Sequence, residues 1–247
     1  MLNLGWNVKA GQMTECCFCD LINNKVHSSV LEFSQQHGAP RTVVTDTVHF
    51  SILGDVSPIS NLHILLCPKK HMSAMADLSA EAKSELWHIV NQFEELFVQN
   101  GQSMIFFEHG DKRIQRSEGE NACRIVHAHM HLVSTFDIAV LDYFTNHFAS
   151  LEQHIDRAES LQGLDDCYYL FGGTGKFTFV SRELEGSQLF RRLHGEYFGE
   201  SLWHWQDMVL FDENKRSIKH MNRLYNLFQN PDGPRWIDKF QSGLEMR

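Results

Sequence analysis

The sequence lacks any long hydrophobic run. Its 247 residues contain no apolar stretch near the roughly 20 residues that a membrane-spanning helix needs. The first ten residues also lack the basic start and apolar segment that mark a secretory signal peptide. We therefore expect a cytoplasmic protein that does not enter a membrane. The length suits one large domain, or a core domain with a substantial extension.

Basic side chains are in short supply. The chain has 22 Lys and Arg residues against 31 Asp and Glu residues, which gives a formal net charge of -9. Because nucleic-acid backbones are anionic, a chain with this balance binds them broadly only through a local basic patch. We therefore do not expect nucleic acid as a partner. A small phosphorylated ligand suits the charge balance better.

Cysteines are also few. There are 6, and without a secretory signal they indicate free thiols or metal ligands, not a disulfide framework. Cys16 and Cys19 are separated by two residues, a spacing that lets both sulfurs reach one tetrahedral zinc ion at about 2.3 Å. A single pair of this kind is weak support, and buried or incidental thiols are the alternative.

Three histidines alternate with apolar residues between positions 127 and 131. Successive side chains in a β-strand point to opposite faces, so His127, His129 and His131 should share one face. Imidazole binds zinc when it is neutral, changes charge near neutral pH and can attack an electrophile. A chance cluster on a half-exposed strand is the alternative, but the strict alternation favours a functional row.

Hydrophobic periodicity predicts the other elements. The clearest is a helix from Ala80 to about Asn100, with Ser79 as its N-cap and Gly101 as its C-terminal stop. Further helices are predicted over 138–161, 187–198 and 214–228. Strands are predicted over 42–44, 48–53, 62–68, 103–108, 168–171 and 176–180.

The segment His127-Ala-His129-Met-His131-Leu-Val resembles the His-φ-His-φ-His-φ-φ signature of the histidine-triad (HIT) superfamily. The stretch from Leu62 to His71 is similar to the strand that precedes this signature in the same family. The resemblance implies an α+β fold in which a long helix packs on an antiparallel sheet. The resemblance covers residues 16–135, which we predict to be a HIT domain. Residues 1–15 would form an N-terminal arm, and residues 136–247 would form an α+β C-terminal extension packed on the core.

The resemblance also implies a reaction. In this family the middle histidine attacks the α-phosphorus of a nucleoside phosphate conjugate, so it assigns the nucleophile to His129. His131 would donate to a phosphate oxygen, and His63 would support the ring of the nucleophile. Asp55 would accept the ribose hydroxyls, although an Asp that only turns the chain before Pro58 fits equally well. A covalent nucleotidyl-histidine would form and then pass its nucleotide to water or to another acceptor.

A structural zinc site follows from the same resemblance. Cys16, Cys19, His71 and His127 match the four ligands of the zinc-bearing bacterial members. Such a site leaves no open position on the metal, so we expect it to fix the N-terminal segment against the histidine strands. Cys17 is an alternative ligand.

Two positions depart from the family pattern. Glu108 stands where many family hydrolases have Asn or Gln, and Arg124 stands where they have Ser or Thr. Both are expected to face substrate. Glu108 would weaken phosphate binding unless it is protonated, paired with Arg124 or directed at a cationic leaving group. Arg124 could bind phosphate in a bidentate way and so offset the charge of Glu108.

Three questions stay open at the level of sequence. The first is whether the chain is a hydrolase or nucleotidyltransferase, or a nucleotide-binding or sensing protein without activity; repair of adenylylated nucleic-acid ends is a weaker third hypothesis. The second is whether the extension reaches the site or only packs on the domain, and the side chains concerned are Arg191, Arg192, Trp203 and Trp205. The third is the oligomeric state, because the resemblance to the HIT family makes a homodimer possible.

Overall fold

A computed structural model of the chain describes residues 16–23, 43–111, 127–164, 167–175, 177–183, 188–210 and 216–229. The strands in this part are β1 (Val43–Asp46), β2 (Phe50–Gly54), β3 (His63–Pro68), β4 (Ser103–Asp111), β5 (Met130–Thr135), β6 (Glu152–His154), β7 (Cys167–Gly173) and β8 (Thr178–Ser181). The α-helices are α1 (Cys17–Ile22), α2 (Ala80–Gln99), α3 (Val140–His147), α4 (Leu189–Phe198), α5 (Trp205–Leu210) and α6 (Arg216–Gln229). The predicted arm at 1–15 lies outside the described residues.

The eight described strands form one sheet in the order β1-β2-β3-β5-β4-β7-β8-β6. Every neighbouring pair is antiparallel, which confirms the predicted α+β class with an antiparallel sheet. The extension contributes β6, β7 and β8, and β7 pairs with β4 along seven residues. It therefore continues the sheet of the N-terminal half as well as packing on it.

Helices cover both faces of the sheet. On one face, α2 and α6 bury an apolar core that includes Phe93 and Leu224. On the other face, α3 and α4 bury a second core around Phe144 and Phe190, and α1 covers a smaller cluster beside β2 and β3. Burial on both faces explains why β2 and β3 read as nearly continuous apolar runs.

The long helix is confirmed as α2. The Ser79 hydroxyl accepts a hydrogen bond from the Ala82 amide at 3.2 Å, which satisfies one of the free amides of the first turn. The chain leaves the helix at Gly101, whose φ of 71° is a left-handed conformation that glycine adopts without strain.

The predicted helix over 138–161 is wrong in its second half. The helix α3 ends at His147, and residues Glu152–His154 instead form β6, which pairs with β8 at the sheet edge. Ile155, whose spacing from the apolar residues of α3 would put it on the buried face of a longer helix, is 86% exposed. Hydrogen bonding to an open sheet edge outweighs the helical spacing of a few apolar residues there.

The histidine row only partly lies in regular strand. The strand β5 starts at Met130, so His127 and His129 lie in the segment that leads into it. The alternation still holds, because the apolar residues between the histidines all belong to the core under α2.

Within the described residues, no helix has the length and apolar character that a membrane span requires.

Candidate active site

The site lies on the sheet face that α1 and α4 cover. In the antiparallel register, His131 of β5 faces Leu65 of β3 on one side and Phe107 of β4 on the other. Phe107 stacks on the His131 ring with centroids 4.6 Å apart, and Phe190 of α4 stacks on Phe107 at 5.1 Å. The extension therefore contributes part of the wall on which the His131 ring rests.

The hydrogen bonds of His129 assign its tautomer. Its Nδ1 lies 2.7 Å from the carbonyl oxygen of His127, which can only accept, so Nδ1 carries the proton. Burial lowers the pKa of His129, so the ring is neutral at pH 7. Its Nε2 therefore carries a lone pair, and the edge of the Phe18 ring packs against the imidazole at 5.1 Å.

His63 and His131 form a second ordered pair. The Ile59 amide donates to His63 Nδ1 at 3.3 Å, so the proton of the neutral His63 ring is on Nε2. That Nε2 lies 2.8 Å from His131 Nδ1, which must therefore accept, leaving the His131 proton on its own Nε2. Burial lowers the pKa of His63 to about 3 and that of His131 well below its ordinary value.

Asp55 lies beside this pair in the β2–β3 loop. Its Oδ2 is 3.3 Å from His63 Nε2 and 3.8 Å from His131 Nδ1. The same oxygen accepts a hydrogen bond from Arg191 Nη1 of α4 at 3.0 Å. Although burial by itself raises the pKa of Asp55, the neighbouring His63 and Arg191 side chains lower it below its usual range. The carboxylate is therefore ionised at neutral pH.

A cluster of two cysteines and two histidines joins α1 to the histidine segment. Ligand atoms of Cys16, Cys19, His71 and His127 all lie within 4.8 Å of one another. The Cys16 sulfur is 3.4 Å from His127 Nδ1, and the Cys19 sulfur is 3.3 Å from His71 Nδ1. Tetrahedral zinc with Zn–S of about 2.3 Å and Zn–N of about 2.0 Å places sulfur and nitrogen ligands about 3.5 Å apart. The spacing therefore fits a zinc ion.

The tautomer of His127 also fits a metal ligand. Its Nε2 lies 2.7 Å from the carbonyl oxygen of Pro68, so the proton is on Nε2 and Nδ1 offers its lone pair toward the sulfurs. Burial lowers the pKa of His127 to about 4, which keeps the ring neutral. The side chain of Cys17, the alternative ligand, lies outside the described residues.

The HIT domain family model matches residues 36–138, the span that contains Asp55, His63 and all three histidines of the row. This part of the chain matches the HIT domain. The match ends just after β5, where the extension begins. A search of curated proteins finds no match.

Solved structures of HIT proteins are similar to between half and nearly nine tenths of this chain. A histidine triad protein from Clostridium difficile is 20% identical, covers 52% of this chain and 96% of its own, and gives a TM-score of 0.33. A HIT family hydrolase from Clostridium thermocellum is 17% identical, with 51% and 96% coverage and a TM-score of 0.32. A hypothetical histidine triad nucleotide-binding protein from Sulfolobus tokodaii is 16% identical, with 89% and 99% coverage and a TM-score of 0.31.

The structure corrects the expectation that Glu108 of the HIT domain faces substrate. Glu108 pairs with Leu170 of β7 and points to the face under α2, opposite to His131. Its side chain is fully buried and its Oε1 accepts a hydrogen bond from the Met75 amide at 2.9 Å. Because β4 alternates, Glu108 and Phe107 point to opposite faces, and Phe107 is the one beside His131. Arg124 lies outside the described residues.

Burial raises the pKa of Glu108 from 4.5 to about 7, which predicts a pH-dependent stability. Because the raised pKa favours the protonated folded state, this stabilisation is lost as pH rises from about 5 through 7. We expect Glu108→Gln to raise the free energy of unfolding by about 3 kcal/mol at pH 8 and by less than about 1 kcal/mol at pH 5. Urea unfolding at both pH values measures the difference, and Glu159→Gln, an exposed position, is the control. An equal effect at both pH values would contradict it.

Arg191 is the site residue that the sequence left undecided. Nothing in the spacing of α4 separates a buried arginine from a surface one, because its partner Asp55 is 136 positions away. Arg192, by contrast, pairs with Glu196 on the outer surface of the helix at 3.0 Å. Trp203 contributes its backbone carbonyl, which accepts from Arg191 Nε at 3.1 Å. Two adjacent arginines thus have different roles.

Proposed function

We propose that this chain is a HIT-type nucleotide hydrolase or nucleotidyltransferase that acts on the α-phosphate of a nucleoside phosphate conjugate. The observation that carries the proposal is the tautomer of His129, whose Nδ1–H donates to the His127 carbonyl and leaves the Nε2 lone pair for attack. A neutral imidazole is a suitable nucleophile toward an anionic phosphate.

In the first step, His129 Nε2 forms a bond to the α-phosphorus, and the bond from phosphorus to the leaving group breaks. The leaving group takes the bonding electron pair and then a proton from solvent. The His129 ring becomes cationic, and the His127 carbonyl stabilises that charge through Nδ1–H. His131 donates its Nε2–H to a non-bridging phosphate oxygen, where negative charge builds up in the transition state.

In the second step, water or another acceptor attacks the phosphorus and the N–P bond breaks. The electron pair returns to His129 Nε2, and the attacking oxygen loses its proton to solvent. The product is a nucleoside monophosphate when the acceptor is water. The His63–His131 hydrogen bond at 2.8 Å keeps the His131 donor in one orientation throughout.

We further propose that Cys16, Cys19, His71 and His127 hold a structural zinc ion. With four protein ligands the metal would have no position for substrate, so its contribution is to fix α1 and the histidine segment together. This brings Phe18 against His129. The proposal rests on the Sγ–Nδ1 spacings and on the assigned His127 tautomer.

The test is turnover by the full chain on a panel of nucleoside phosphoramidates, dinucleoside polyphosphates and nucleotidyl esters. Chromatography measures release of the nucleoside monophosphate. We expect release from at least one class. Binding of nucleotides by calorimetry with no release from any class would overturn the enzymatic proposal and favour a binding or sensing protein.

A further inference from the structure

The loop that carries Asp55 is hydrogen-bonded to the extension on both faces of the sheet. On the face under α2, the His220 ring of α6 lies 3.2 Å from the Asn61 carbonyl and 2.8 Å from the His63 carbonyl. On the catalytic face, Arg191 of α4 reaches Asp55 and Ser57. The loop is therefore fixed by elements that lie outside the HIT domain match.

Both carboxylate oxygens of Asp55 are engaged inside the protein. Oδ1 accepts from the Ser57 amide at 2.7 Å and is 3.3 Å from the Ser57 hydroxyl. Oδ2 accepts from Arg191 Nη1 at 3.0 Å and lies 3.3 Å from His63 Nε2. Asp55 is 5% exposed and Arg191 is 4% exposed. A sugar that presented two hydroxyls to this carboxylate would have to displace the guanidinium.

Each nitrogen of the guanidinium has a partner within the protein. Its second terminal nitrogen, Nη2, donates to the Ser57 carbonyl, to the Ser57 hydroxyl at 3.0 Å and to the Met208 sulfur at 3.2 Å. Its Nε donates to the Trp203 carbonyl at 3.1 Å. All of these partners belong to this chain. The group is therefore placed to hold Asp55 and not to bind a substrate phosphate.

The segment of α4 that carries Arg191 is anchored in the core. The preceding residue, Phe190, packs within 5.1 to 5.5 Å of the rings of Phe107, Phe144, Tyr169 and Phe171. Tyr169 and Phe171 belong to β7, which continues the same sheet. Close-packed interiors resist such displacement, so the Arg191–Asp55 contact belongs to the folded state and not to a removable lid.

We propose that Arg191 is a specificity-determining and positioning residue. Because its guanidinium occupies the Asp55 carboxylate, the site binds phosphate conjugates without hydrogen bonds from Asp55 to the 2′- and 3′-hydroxyls of a ribose. This rests on the proposed function and narrows its substrate class. Arg191 keeps Asp55 ionised and oriented toward the His63–His131 pair. The carboxylate therefore acts on the histidines and not on the sugar.

The first test compares an adenosine 5′-phosphoramidate with its 2′,3′-dideoxy analogue on the full chain. A site that hydrogen-bonds a substrate hydroxyl rejects the analogue lacking it by about ten thousandfold, whereas we expect kcat/KM values within about threefold of each other. A preference for the ribose compound above about tenfold would overturn the inference.

Measurements of nucleotide binding distinguish a failure of this inference from a failure of the proposed function. Calorimetry with AMP and 2′,3′-dideoxy-AMP needs no turnover, and we expect equal affinities for the two. Equal binding without turnover of either phosphoramidate would sustain the inference and refute the proposed reaction. Much weaker binding of the dideoxy compound, or no binding of either, would overturn the inference.

The second test is Arg191→Met, with Arg192→Met as the matched control. Because the guanidinium does not touch substrate, we expect kcat for the 2′,3′-dideoxy compound to fall by between about tenfold and a hundredfold while its KM stays unchanged. Arg192→Met should change neither. If Arg191→Met does not fold by circular dichroism, Arg191→Lys keeps a cation near Asp55 but loses the fork to Ser57, and an intermediate kcat is expected. A change confined to KM, or no change at all, would overturn the positioning role.

Discussion

Replacing His129 with alanine is expected to abolish turnover while leaving the fold intact. The proposed mechanism has no other nucleophile, because His131 presents a proton at Nε2 and His63 directs its Nε2–H to His131. Removing the nucleophile of a covalent mechanism should lower kcat by about a thousandfold or more. His129 is only partly buried, so its loss leaves no large cavity in the core.

The matched control for this variant is His154→Ala. His154 lies in β6 at the far edge of the sheet, where it faces Glu152. Steady-state kinetics should show unchanged turnover for His154→Ala, and circular dichroism should show native structure for both variants. Substantial turnover by a folded His129→Ala protein would mean that another group attacks the phosphate.

Replacing Cys19 with serine is expected to remove the metal and destabilise the protein. The Cys19 sulfur lies between two histidines, 3.3 Å from His71 Nδ1 and 3.5 Å from His127 Nδ1. Structural zinc can supply ~10 kcal/mol of folding free energy in small zinc peptides. In this chain the proposed zinc would fix α1 to the sheet, so we expect a loss of about 3 kcal/mol and a fall in Tm of roughly 6 to 12 °C. Elemental analysis should find about one zinc per chain in the parent protein and almost none in Cys19→Ser.

Cys67→Ala provides the control for the metal prediction. Cys67 is fully buried in the same apolar cluster as α1, but it is not one of the four grouped ligands. The Cys67→Ala variant should keep its zinc. A chelator should lower its thermal stability as much as it lowers that of the parent protein. A parent protein purified without zinc, or a Cys19→Ser variant that retains it, would contradict the four-ligand site.

The strand alternation made the HIT half readable from sequence. A period of two places every second side chain on one face, so the row of imidazoles and the apolar core follow from local spacing alone. The Cys-x-x-Cys spacing likewise indicated two candidate metal ligands, whereas the candidates His71 and His127 were found only through the family resemblance. The long helix α2 was predictable from its N-cap residue, its apolar face and the residues that end it.

Other parts of the site depend on contacts that no local pattern encodes. The side on which Glu108 points depends on the strand register, and a family substitution at that position suggested the wrong face. Arg191 meets Asp55 only because α4 packs on the catalytic face, which requires β7 to pair with β4. The predicted helix over 138–161 failed for a similar reason, since β6 forms only when β8 offers an open edge.

The central claim is that His129 Nε2 forms a covalent bond to phosphorus. Rapid quenching of the full chain with a nucleoside phosphoramidate, followed by peptide mapping in the mass spectrometer, tests it most directly. The account predicts one nucleotidyl group per chain, on His129 and absent from His129→Ala. An adduct on His131 or His63, or turnover with no adduct at any time point, would contradict it.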